Sequence, residues 1–132
     1  MSIFIDTSGL LAMLVENDIN HERAAFIFNR LLDQSEPLVT TNYVIVETIA
    51  LLQRRIGLQA VRILLDRVIP ALEIEWMNSD LHAESISSLL IANRRLLSIV
   101  DCSSFVVIQR MSITTIFTFD EHFEQQGYIC LN

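Results

Sequence analysis

The sequence predicts an α/β fold: a mainly parallel, doubly wound sheet with helices on both faces. Three observations lead there. Short apolar runs alternate with longer segments of helical periodicity along the whole chain. Strands separated by helices need right-handed crossovers, which leave neighbouring strands parallel. The 132 residues are 52% hydrophobic, enough for one sizeable core and for a single domain over 1–132.

The elements follow in order. Residues 3–6, Ile3-Phe4-Ile5 closed by Asp6, read as a strand, and 8–15 as a short helix. Residues 21–34 carry Ala24, Phe28, Leu31 and Leu32 at helical spacing. After Pro37, LVTT reads as a strand, then NYVIVETIALLQRRIG as a helix capped by Thr41 or Asn42 and closed by Gly57. Residues 58–69 form another helix stopped by Pro70. LEIEW, 72–76, alternates apolar and acidic like a strand with one wetter face. Helices follow over 80–94 and 101–111, and strands over 115–119 and 128–131. No repeat, low-complexity segment or linker interrupts the pattern.

Composition narrows the function. The longest uncharged stretch, Pro37 to Val46, is ten residues, about half of a spanning helix, so no membrane role is expected. The N-terminus has no basic segment followed by a long apolar one, which together with only two cysteines, Cys102 and Cys130, predicts a cytoplasmic protein with reduced thiols. Sixteen acidic residues face nine basic ones, all arginine. That balance argues against nonspecific nucleic-acid binding through a broad basic face. It leaves room for a carboxylate site whose field a divalent metal reverses. Catalytic lysine chemistry is excluded, because the chain has no lysine.

Four acids lack a local charge partner. Asp6 ends an apolar strand; Glu47 has Tyr43, Val44, Ala50 and Leu51 as its helical neighbours; Asp101 has Leu97, Ser98, Ser104 and Phe105; Asp120 ends TIFTF. A buried, unpaired carboxylate costs several kcal/mol, so it neutralises, finds a partner in space or binds a cation. Asp6 and Asp120 also follow strands, and ligands of doubly wound sheets bind beyond the strands' carboxyl ends. Each acid taken alone has a plainer reading: Asp6 and Asp101 as helix caps, Asp120 as a turn residue, Glu47 on a wet strip. Capping does not explain Glu47 in mid-helix. Four together suggest a shared cation, and all-oxygen ligation suits Mg²⁺ or Mn²⁺.

The order of FIDTSGLLAML, NYVIVETIALLQRR, LSIVDCSSFVVIQRMSI and FTFDEHF resembles the PIN domain family, and within it the VapC-type ribonuclease toxins of type II toxin–antitoxin systems. The resemblance covers nearly the whole chain. It implies a PIN-like (Rossmann-like) three-layer sandwich with a five-stranded sheet, and metal-dependent endonuclease activity on RNA. Position by position, Asp6, Glu47, Asp101 and Asp120 match the family's acidic quartet, as catalytic and metal-binding residues. Thr7 or Ser8 matches the small hydroxyl position beside the first acid, and Ser103 falls near the third. The resemblance also implies a cognate antitoxin and a homodimer.

On this reading one or two Mg²⁺ or Mn²⁺ ions sit among the carboxylates, with Asp6 and Asp101 as the first choices for direct ligands. Arg94 and Arg95 are candidates for RNA phosphate, although cations also simply suit a helix C-terminus. His122 is read as structural in preference to a general base, His82 as having no evident partner, and Cys102 as a small buried residue. Phe26, Ile27 and Leu31 are read either as an apolar strip outside the core or as ordinary packing. Rival schemes fit less well: a response-regulator receiver uses a lysine, and a haloacid-dehalogenase phosphatase wants an acid where Ser8 stands. A housekeeping PIN-type RNA-processing nuclease and a non-catalytic PIN-like binding module are the alternatives.

Overall fold

In the computed structural model, which describes residues 1–132, β1 (Ile3–Ile5) is buried throughout, as a strand covered on both faces must be. It occupies the middle of a five-stranded sheet in the order β3-β2-β1-β4-β5 with every pairing parallel. Its neighbours are β2 (Leu38–Thr41) and β4 (Thr115–Phe117); β3 (Glu73–Glu75) and β5 (Ile129–Leu131) are the edges. The exposed Glu73 and Glu75 of β3 are the wet face that LEIEW announced. The helices are α1 (Thr7–Leu14), α2 (His21–Asp33), α3 (Asn42–Arg55), α4 (Leu58–Ile63), α5 (Ser79–Ala92), α6 (Ile99–Arg110) and α7 (Glu121–Gln125). Together they make the three-layer α/β sandwich expected of the sequence.

The strand order reverses between β1 and β4. One connection runs outward through β2 to β3, the other through β4 to β5, so a crevice opens at the carboxyl ends of the two central strands. Register pairs Ile5 with Phe117, which brings Asp6 level with Thr118. The backbone N–H of Asp6 donates to the carbonyl of Phe117 at 3.1 Å.

Several boundaries differ from the sequence reading. Asp6 is not a strand residue but the N-cap of α1. The helix expected over 58–69 is α-helical only to Ile63, then widens to a π-turn over Leu64–Val68 and tightens to a 3₁₀ turn over Ile69–Ala71. Pro70 explains the change: it lacks an N–H and its ring crowds the preceding turn. Helix α6 starts at Ile99 rather than Asp101, because Ser98 caps it. Helix α7 was not anticipated. Of the apolar residues of α2, Ala24, Phe28 and Leu31 are core and Ile27 packs against the core, leaving Leu32 exposed, and Phe26 exposed beneath the Arg30 guanidinium. Both cysteines are free, and Cys102 is buried. No helix is long and apolar enough to cross a membrane.

Candidate active site

Asp6 stands at the mouth of the crevice and is 3% exposed. Its Oδ2 accepts from the Ser8 N–H at 3.3 Å, the Ser8 hydroxyl at 2.8 Å and the Thr118 hydroxyl at 2.9 Å. Each hydroxyl also accepts from the β4–α7 turn: Ser8 Oγ from the Phe119 N–H at 2.9 Å, Thr118 Oγ1 from the Asp120 N–H at 3.0 Å. Two backbone amides thus feed two hydroxyls, which converge on one carboxylate oxygen. Oδ1 takes none of these bonds and remains available to a ligand. The same relay fixes the turn that presents Asp120.

Asp101 is positioned by a capping box. The Ser98 hydroxyl accepts from the Asp101 N–H at 3.0 Å, and Asp101 Oδ2 accepts from the Ser98 N–H at 3.2 Å. Asp120 caps α7, its Oδ1 accepting from the His122 N–H at 2.9 Å. The imidazole of His122 turns back between the two acids. Its Nδ1 lies 3.5 Å from Asp101 Oδ2 and 3.1 Å from Asp120 Oδ1. These are ion-pair distances, but the angles make no hydrogen bond, so Nδ1 is a buried nitrogen without a partner. One ligand atom from each of Asp101, Asp120 and His122 falls within 4.8 Å of the others.

Glu47 projects from the middle of α3 beside Thr7, whose hydroxyl lies 3.5 Å from the Val44 carbonyl and 3.4 Å from the Thr48 hydroxyl. Asp6 and Glu47 do not join the tightest group, yet they feel it. Burial pushes the Asp6 carboxyl up to about 6, against the pull of its Ser8 and Thr118 hydrogen bonds, and Asp101 adds repulsion. Burial also raises Glu47, with Thr7 opposing and Asp101 and Asp120 repelling. Asp101 is raised by burial and then by Asp120, while the Ser98 hydrogen bonds and His122 hold it back. Four carboxylates whose charges interact this way share one groove.

The structure therefore gathers Asp6, Glu47, Asp101 and Asp120, with Thr7 and Ser8 bracing them. It does not gather Ser103. That hydroxyl donates to the Val100 carbonyl at 2.6 Å within α6, because residues two apart on a helix point to opposite sides. Arg94 and Arg95 lie in the exposed loop after α5; Arg94 reaches Gln125 at 3.4 Å and neither pairs with a carboxylate. Two contributors were missed. Thr118 gives no local signal, since its partner is 112 residues away. His122 was legible as the third residue of DEHF, two after Asp120, but was assigned a structural role.

The donor set suits a divalent cation. An orphaned buried nitrogen faces two carboxylates, a third carboxylate has one oxygen unbonded, and like charges accumulate without an arginine among them. Oxygen donors dominate, as hard cations such as Mg²⁺ and Mn²⁺ prefer.

Comparison with known proteins points the same way. The family model described as PIN domain matches residues 3–127. The protein named 23S rRNA-specific endonuclease VapC20, from two strains of Mycobacterium tuberculosis (CDC 1551 / Oshkosh and ATCC 25618 / H37Rv), is 33% identical over 129 residues, spanning 96% of this chain and 95% of its own. The crystal structure of M. tuberculosis VapC20, a Sarcin-Ricin loop cleaving toxin, superposes with a TM-score of 0.81 at 28% identity over 96% of each chain. FitAcB from Neisseria gonorrhoeae shares the fold, with a TM-score of 0.69 at 15% identity over 100% of this chain and 97% of that one.

Proposed function

The chain belongs to the PIN domain family, and on that footing we propose that it is a divalent-metal-dependent endoribonuclease and the toxin of a toxin–antitoxin pair. The observation that carries this reading is the crevice itself, where Asp101, Asp120 and the unpartnered His122 Nδ1 converge beside buried Asp6 and half-buried Glu47. Asp101, Asp120 and His122 would hold a cation, with Asp6 Oδ1 and Glu47 adding charge to the same groove. The chemistry such a cation supplies is Lewis acidity at a phosphoryl oxygen and acidification of water to near neutrality.

The protein's own residues do the positioning. Ser8 and Thr118 hold Asp6 by one oxygen and so aim the other. Ser98 fixes the rotamer of Asp101 through the capping box. The turn amides fix Asp120. Preorganised carboxylates need no reorganisation when substrate arrives, which is how such sites lower a barrier. The net charge of −7 keeps RNA from binding indiscriminately, so engagement depends on the groove.

The likeness to VapC20 makes the 23S rRNA sarcin-ricin loop the first substrate to test, in a cytoplasmic setting, with residues 1–132 acting as one domain. The toxin reading brings a cognate antitoxin as partner. Leu90, Ile91 and Leu96, exposed around the end of α5, offer an apolar face for a homodimer.

The test is cleavage of an RNA stem-loop carrying the sarcin-ricin sequence. Cleavage is expected with Mn²⁺ or Mg²⁺, to stop on addition of chelator and to return with excess metal. Cleavage indifferent to chelator, or none with metal present, overturns the reading. Thr118→Val tests the relay. It keeps the side-chain shape but removes one donor from Asp6 and the acceptor of the Asp120 N–H. Supporting groups of this kind are worth about 10- to 100-fold in metal affinity or activity. A fall in cleavage of that size is expected, partly recovered at high Mn²⁺; unchanged activity would show that the relay positions nothing.

A further inference from the structure

A second concavity adjoins the carboxylates and takes no part in the chemistry above. It encloses about 390 Å³ and is lined by Asn42, Tyr43, Val46, Glu47, Ala50 and Val100. Its walls are chain neighbours of the site: Glu47 is shared with the groove, and Val100 precedes Asp101. Of the polar lining, Glu47 faces the carboxylate groove, and Asn42 Oδ1 is engaged by the Met77 N–H at 2.7 Å. The rest is a tyrosine ring and aliphatic carbon.

Tyr43 stands one helical turn before Glu47, on the same side of α3. Its ring is held at two points. The hydroxyl bonds His82 Nδ1 on α5, and the imidazole meets the ring at 6.0 Å and 82°. His82 is the histidine that had no evident partner in the sequence. An aromatic ring so tethered, half-exposed at the rim of a catalytic groove, is preorganised for a planar ligand.

We infer that this pocket is a nucleobase subsite, in which an unpaired base next to the scissile phosphate stacks on Tyr43 with Val46, Ala50 and Val100 closing around it. The inference rests on the ribonuclease reading. Charge selects the occupant. No arginine stands among the carboxylates, so affinity for RNA beyond what a bound cation supplies has to come from uncharged contacts beside them. A phosphate placed at the carboxylates brings the adjoining nucleotide to the wall formed by Glu47. Base–aromatic stacking tolerates an acidic neighbourhood because the base carries no charge.

The test combines kinetics with a fluorescent base. Tyr43→Ala is expected to raise KM for the sarcin-ricin stem-loop about 10- to 100-fold with kcat within roughly threefold, the range stacking contributes. Tyr43→Phe keeps the ring and is expected to stay within about threefold of wild type. Ala50→Trp, on an exposed position of α3, fills the pocket and is expected to raise KM similarly. In the second arm, 2-aminopurine replaces each loop base in turn, and the RNA is mixed with cleavage-deficient Asp6→Asn protein. Fluorescence quenching is expected at one loop position, lost with Asp6→Asn/Tyr43→Ala and kept with Asp6→Asn/Tyr43→Phe. Wild-type cleavage with unaltered KM in Tyr43→Ala and no Tyr43-dependent quenching overturns the subsite alone and leaves the pocket to a protein partner. Neither cleavage nor binding by wild type overturns the ribonuclease reading and the subsite with it.

Discussion

Asp6→Asn is expected to lower RNA cleavage by roughly two to three orders of magnitude while making the metal-free protein more stable. The two effects have one origin. Asp6 is buried, and burial raises its carboxyl from 3.8 to about 6. A group with a raised folded-state pKa of this acidic kind holds its proton in the folded protein where the unfolded chain has already released it. Stability from this group is therefore greatest below pH 4 and falls as pH rises through 6. Above that the ionised form costs about 3 kcal/mol, at ~1.4 kcal/mol for each tenfold in proton affinity. Asparagine removes that cost. Its amide oxygen can still accept from Ser8 and Thr118, and its nitrogen occupies the place of the free oxygen. Thermal unfolding in chelator should show the variant more stable at pH 8, with the advantage gone near pH 4. Added Mn²⁺ should raise the melting temperature of the wild type, because binding to the folded state alone stabilises it, and should do much less for the variant. A variant less stable than wild type at pH 8 would mean that Asp6 is held mainly for structure.

Gly9→Ala carries the largest expected loss of stability. Glycine here has ordinary helical geometry, so the argument is one of space. A Cβ at Gly9 would lie 2.8 Å from Phe117 Cδ2 and 2.9 Å from the Phe117 carbonyl oxygen. Neither atom can retreat: the ring is fully buried, and the carbonyl accepts from the Asp6 N–H. Alanine gains up to about 1 kcal/mol in helix propensity, but overpacking of this kind costs typically about 1–3 kcal/mol or more. A net loss of about 2 kcal/mol is expected, seen as a fall in melting temperature of roughly 10 °C. Cleavage should fall too, because the shift enters at the carbonyl that anchors Asp6. A melting temperature equal to or above wild type would refute the argument.

How much of this could be read in the chain varies with the range of the interaction. The sheet was legible because most of its strands are short runs rich in apolar residues, β1 being apolar throughout, while β3 alternates acidic and apolar. The acids were legible for the complementary reason, as charges set among apolar neighbours. The limits are physical. Asp101 looked like a cap because Ile99 and Val100 extend the preceding apolar run as readily as they open a helix; only the Ser98 hydrogen bond places the start. Its supposed isolation was also partial, since Ser98 is three residues away. Ser103 looked close to the site by sequence distance but points elsewhere by helical geometry. Thr118 and the Tyr43–His82 pair depend on contacts spanning 112 and 39 residues, which no local pattern reports.

The hydroxyl relay joining Asp6 to Thr118 has a bearing on synthesis. Asp6 leaves the ribosome 112 residues ahead of Thr118, one of the groups that hold it. Until Thr118 and the turn behind it emerge, β1 lacks its central partner β4, and Asp6 lacks one of its three donors. A nascent chain is thus a disarmed one. Its acidic groove is braced only once the chain has been made as far as Thr118 and Asp120.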